Sequence, residues 1–169
     1  MLSLSTDNET YVADAVDRSV SEAFELMAGG PARLVSRHRF AESIGPPHGG
    51  SGLTAILSLT GELRGSICLC LPAPAALCWT RKVIDHDTDA LDQVVVDAIG
   101  ELGNIVVGGS KRRLSRFDLK MGLPSVVRAG KESLAFPTRT ASLQLDYEFE
   151  SCPFSVVIAL GESAAERGW

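Results

Sequence analysis

Two stretches of this chain, EAFELMAGG at 22–30 and ELGNIVVGG at 101–109, share a leading Glu and a closing Gly-Gly at a constant separation of 79 residues. Each lies on an apolar periodicity of three and four residues, the signature of an amphipathic helix. Leading into the first, Val12, Val16, Val20, Phe24 and Met27 recur at that spacing, with Ala15 and Ala23 beside them. The second lies within VVVDAIGELGNIVVGGSKRRL, residues 94–114, which reads as a long helix despite its four glycines. A helix repeated within one chain restricts the fold to two related halves. Chance convergence of two amphipathic helices is the competing explanation.

The segments after each helix favour the halves. Gly29-Gly30-Pro31 stops the first helix over 9–28. Strand-like ARLVSRHRFA follows, then the turn-rich IGPPHGGSG, then LTAILSLT and LRGSICLCL joined across Gly61-Glu62, a hairpin signal. Pro72 and Pro74 precede a shorter helix, AALCWTRKVI, and acidic DHDTDALD leads into the long one. Beyond it, RFDLKMGLPSVV reads as a strand interrupted at Gly122 and Pro124. ASLQLDYEF sets Ala141, Leu143, Leu145, Tyr147 and Phe149 on one side of a strand, and FSVVIAL returns across ESCP as its partner. The tail, GESAAERGW, is expected to be loosely held. The order implies an α+β fold of two pseudo-symmetric helix-plus-antiparallel-strand halves, the long helices packed on a mostly antiparallel sheet.

At 169 residues the chain is expected to form one domain, with a core from about 10 to 160, able to bury ~70% of its unfolded surface. A net charge of −5 argues against a dedicated nucleic-acid binder. The local cluster Lys111-Arg112-Arg113 with Arg116 is better read as a solvated helix end complementing the macrodipole. No apolar run approaches the ~20 residues of a membrane span, so no membrane insertion is expected. MLSLSTDNET lacks the basic start and apolar core of a secretory leader, which points to a cytoplasmic protein. Cys68, Cys70, Cys78 and Cys152 show no metal-ligand spacing, and the first two alternate with Ile67, Leu69 and Leu71 as buried thiols would. GGSKR lacks the spacing of a phosphate loop.

The long helix carries a polar stripe. At 100° per residue, Asp97, Glu101, Asn104 and Gly108 fall within an arc of about 60°, opposite Leu91, Val95, Ala98, Ile99, Leu102, Ile105 and Val106. Glu101 and Asn104, three residues apart, project as neighbours. Gly100 and Gly103 each cost ~1 kcal/mol relative to alanine in a helix interior. Gly100 borders the stripe, where a missing side chain would admit another molecule's backbone. Gly103 lies off it, where close packing is the better explanation. The pattern alone fits two readings: a solvated stripe with two packing glycines, or a functional edge. A fixed carboxylate can anchor a cation on a partner, and a fixed amide can hold a water in line with an electrophile. His38, His48 and His86 lie in strand or loop contexts with no motif around them, so no histidine serves the pair as base.

At these residues the sequence resembles the CheX/CheC/FliY chemotaxis phosphatases, in particular the CheX-like branch. DAIGELGNIVVGGSKRRL is similar to that family's Asp-x-x-x-Glu-x-x-Asn helix, LPSVVRAGK to the Pro-containing strand after it, and YVADAVDRSVSEAFELMAGG to its opening helix. The resemblance spans roughly residues 10 to 160. It implies dephosphorylation of a CheY-type response-regulator receiver domain, with Asn104 orienting the attacking water and Glu101 pairing with the receiver's lysine. Asp97 and Gly100 would support that pair. It implies no cofactor held by this chain, the Mg²⁺ residing on the receiver, and a homodimer. In the first half the Asn position would fall on Glu25, a charge that would make that copy inactive. Gly103 departs from the small β-carbon-bearing residue usual there. A catalytically silent docking module for a receiver or flagellar-switch protein is the alternative reading, and a purely structural dimer subunit a weaker one.

Overall fold

The computed structural model describes residues 2–40, 52–136, 140 and 142–163. Most of the turn-rich IGPPHGGSG stretch, including His48, lies outside them, as do Ala141 and the tail after Ser163. After a short strand β1 (Leu2–Ser3), helix α1 runs over Thr6–Ala28, and then come β2 (Arg33–Arg39), β3 (Gly52–Thr60) and β4 (Leu63–Pro72). Helix α2 (Ala73–Ile84) and the long helix α3 (Gln93–Arg113) follow, then β5 (Lys120–Met121), β6 (Ser125–Val127), β7 (Ser142–Phe149) and β8 (Cys152–Glu162). The start of RFDLKMGLPSVV is a 3₁₀ turn over Ser115–Phe117 rather than strand, and the expected break at Gly122–Pro124 separates β5 from β6.

The strands form one sheet in the order β2-β7-β8-β4-β3-β5, with β1 also on β8 and β6 also on β3. Every pairing is antiparallel. The layout is symmetric about the central β4–β8 pair, where Ile67 faces Ile158. Each hairpin stays in its own half, but the strand that follows each long helix crosses to the other: β2 pairs with β7, and β5 and β6 with β3. The halves are interlocked.

The helices cover one sheet face. Leu53, Leu57, Ile67, Leu69, Leu145, Val156 and Ile158 point into this core together with Val12, Val16, Val20, Ile99, Leu102 and Val106. Phe24 meets Trp79 of α2 at 4.6 Å and Phe149 and Phe154 of the second hairpin at 5.0 Å, joining both halves through one aromatic cluster. Cys68 and Cys70 are buried on the opposite face beside Val157, with Phe40, Leu134 and Phe136 packed on them. Burial there pushes the Cys68 thiol up to about 12.

The internal repeat is real, but its register is 87 residues, not 79. Ser5 and Asp92, 87 apart, cap α1 and α3 alike, each side chain accepting the N–H three residues on, from Asn8 and Val95. At the same offset Val12, Ala13, Ala15, Val16, Ser19, Val20 and Ala23 correspond to Ile99, Gly100, Leu102, Gly103, Val106, Val107 and Ser110, all buried. The shared Gly-Gly misleads because the two copies do different work. Gly29, at φ 73°, is the left-handed cap that ends α1. Gly109 lies inside α3, where a β-carbon would come within 3.1 Å of Ser19 Oγ on α1. The first-half counterparts of Glu101 and Asn104 are therefore Asp14 and Asp17, and Glu25 is an exposed residue outside that correspondence.

Candidate functional site

Helix α3 is held at its start by its capping residue, a histidine on that cap and an arginine from beyond β6. Asp92 Oδ1 accepts the Val95 N–H at 3.0 Å, and its other oxygen lies 2.8 Å from His86 Nε2. The hydrogen bond with His86, then that from Val95, holds the Asp92 carboxyl below the usual carboxylate range. The Arg128 guanidinium, just past β6, donates to the Leu91 carbonyl and ties helix and strand together.

Glycine sets how closely the helix approaches the sheet. A β-carbon on Gly103 would lie 2.9 Å from Leu57 Cδ1 and 3.1 Å from Ala55 Cβ, so this glycine seats α3 on β3, as its place off the stripe suggested. Gly100 differs from its expected part. It is buried, and a β-carbon there would meet Val126 Cγ2 of this chain at 3.3 Å. It lets β6 close against the helix and forms the floor of a groove, rather than a gap left for a partner's backbone.

That groove, about 370 Å³ and open to solvent, brings the expected residues together. Val96, Asp97, Gly100, Glu101 and Asn104 line it from α3, and Pro124 and Val126 from the strand side. Asp97 is engaged within its own helix, accepting from Gln93 Nε2 at 2.8 Å. Glu101 is exposed and Asn104 half-buried. Among the described residues neither side chain has a hydrogen-bond or ion-pair partner. A carboxylate and an amide thus stand uncommitted on one wall of a groove whose other wall is apolar. The strand-side wall escaped the stripe argument because periodicity reports only on the helix itself. Its one signal was Pro124 in GLPSVV.

The pseudo-symmetric positions are arranged differently. Asp14 is paired with Arg37 at 3.2 Å, and Asp17 accepts from the Tyr147 hydroxyl at 3.0 Å. Both acids of the first half are engaged by the fold. His38 lies 3.5 Å from Asp146 and His86 serves Asp92, so neither histidine reaches the groove. Among the described residues no group of three His, Cys, Asp or Glu side chains could hold a metal ion. No helix among them is long and apolar enough to cross a membrane.

A family model described as chemotaxis phosphatase CheX matches residues 53–148, more than half of the chain. The chain belongs to the CheX family. The segment matched to CheX takes in α3, β6 and every residue lining the groove. Solved structures carry the same fold along nearly their whole length. A CheC-like superfamily protein from Shewanella sp. PV-4 has a TM-score of 0.78 at 18% identity, over 89% of this chain and 97% of the other. CheX from Vibrio vulnificus has a TM-score of 0.77 at 20% identity, over 88% and 98%. The CheX–CheY–BeF3–Mg²⁺ complex from Borrelia burgdorferi gives 0.75 at 17% identity, over 89% and 98%. No curated protein matches the sequence.

Proposed function

We propose that this CheX-family chain hydrolyses the aspartyl phosphate of a CheY-type receiver domain, with Asn104 and Glu101 as its working side chains. The observation that carries this reading is the uncommitted pair itself: Glu101 and Asn104 share one open groove, within the segment matched by the CheX model. The relative from Borrelia burgdorferi, crystallised with CheY, lends the partner class.

In this mechanism the receiver lays its phosphoaspartate across the groove. The Glu101 carboxylate pairs with the receiver's active-site lysine and fixes the approach. The Asn104 amide oxygen accepts from a water, and its NH2 donates to a phosphoryl oxygen, which places the water opposite the leaving aspartate. The water oxygen bonds to phosphorus, the bond from phosphorus to the aspartate oxygen breaks, and the aspartate departs as carboxylate with inorganic phosphate released. Phosphoryl transfer relies on positioning and charge stabilisation, so a residue pair that positions is sufficient. Mg²⁺ comes with the receiver. Asp97 adds negative charge at the lysine's end of the groove. The reading includes a cytoplasmic homodimer, each protomer carrying its own groove.

The test is the decay of a phosphorylated receiver domain from the same cell with the protein added. Accelerated decay, lost in both Glu101→Ala and Asn104→Ala, supports the phosphatase. Binding without any effect on decay would make the chain a silent docking module instead.

A further inference from the structure

The polar pair has an apolar neighbour that the mechanism leaves unused. Leu123 is 90% exposed, the most exposed large apolar side chain among the described residues. A solitary exposed leucine needs no explanation. This one is held in place. β5 and β6 both pair with β3, and the chain between them is pinned where Gly122 N–H donates to the Ser58 carbonyl at 2.9 Å. Gly122 sits so close to β3 that a β-carbon would fall 2.5 Å from Ser58 Oγ. On the other side Pro124, its φ fixed by its ring, lines the groove. Leu123 is thus presented between two anchored residues at the groove's edge.

We infer that Leu123 is the apolar anchor on which the receiver domain docks, and so the residue that sets affinity for it. The inference rests on the proposed phosphatase reading and names the contact that reading lacks. The occupant follows from continuity: Leu123 precedes a groove-lining residue, so a partner whose phosphoaspartate reaches Asn104 must lie over this segment. An apolar contact beside a charged one excludes water and adds affinity without touching the reacting atoms. Such uniform binding appears in KM and not in kcat.

The experiment measures kcat and KM for dephosphorylation of the receiver, and Kd for the same receiver loaded with beryllofluoride and Mg²⁺, using wild type, Leu123→Ala, Leu123→Asp and Leu123→Met. Leu123→Ala is expected to raise KM and Kd about tenfold, ~1.4 kcal/mol, with kcat within twofold of wild type. Leu123→Asp should weaken binding further, and Leu123→Met should restore it. Unchanged thermal stability in all three would separate docking from folding. KM and Kd within twofold of wild type in both Leu123→Ala and Leu123→Asp would overturn the inference while leaving the phosphatase standing. Wild-type binding without turnover, weakened by Leu123→Ala, would instead sink the phosphatase and keep the anchor. If Leu123→Ala shifts the monomer–dimer balance and not Kd, or if no receiver binds, Leu123 is not a receiver contact.

Discussion

Gly103 lies against Leu57 so closely that a single added methyl group would stand 2.9 Å from Leu57 Cδ1. Leu57 is fully buried on β3, and Ala55 Cβ beside it would be 3.1 Å away, so the crowding is not relieved by swinging a side chain into solvent. The helix gives up intrinsic stability at this position to sit close to the sheet, one residue before Asn104.

Gly103→Ala is therefore expected to destabilise. The ~1 kcal/mol gained in helix propensity is outweighed by overpacking of about 1–3 kcal/mol. Urea unfolding should show a net loss of about 1 kcal/mol, and turnover should fall as Asn104 is pushed off its position. A variant more stable than wild type would mean that the contact relaxes freely.

The cap on α3 makes stability depend on acid. Asp92 has its carboxyl held below the usual range, so its contribution is fully present above the ordinary carboxylate pKa and is lost as pH falls through the lowered value. Asp92→Ala should lower the melting temperature at neutral pH, and Asp92→Asn should lower it less, because an amide still caps. The gap between wild type and Asp92→Ala should narrow as pH drops below about 4. A gap that persists unchanged at acid pH would remove the ionised carboxyl from the explanation.

The first-half acids are expected to be structural. Asp17→Ala leaves the Tyr147 hydroxyl, on a side chain 1% exposed, without its acceptor. The expected cost is about 1–3 kcal/mol in denaturant unfolding, with receiver turnover unchanged. Loss of turnover in a folded Asp17→Ala protein would reopen that half as a site. Burial, with Asp17 behind it, raises the Tyr147 phenol above the ordinary tyrosine range. Its contribution is present below about pH 10 and is lost as pH rises beyond it. Alkaline thermal melts check this.

The helices and hairpins were legible because their signals are local: the apolar period of α1 and α3, the turn at Gly61-Glu62, the alternation from Leu143 to Phe149. The polar stripe was legible for the same reason, since Asp97, Glu101 and Asn104 share one helix. Three features were not. The repeat register was misassigned because Gly29-Gly30 and Gly108-Gly109 are identical in sequence and opposite in role, one a left-handed stop and the other within a helix. The crossing of β2 to β7 and of β5 and β6 to β3 depends on contacts between distant segments, which no local window contains. The wall of Pro124 and Val126 is brought to Glu101 by that same crossing, so half of the groove was invisible until the strands were paired.

The central claim is that Asn104 does the chemistry in a groove that other residues use for docking. The most direct test pairs two readings on one variant, Asn104→Ala: the decay rate of a phosphorylated receiver at saturating protein, and the affinity for that receiver with beryllofluoride bound. The expected result is a decay rate lower by about a hundredfold, ~2.7 kcal/mol of barrier, with affinity within threefold of wild type. Decay as fast as wild type in a variant that still binds would contradict the claim and place the water-orienting group elsewhere.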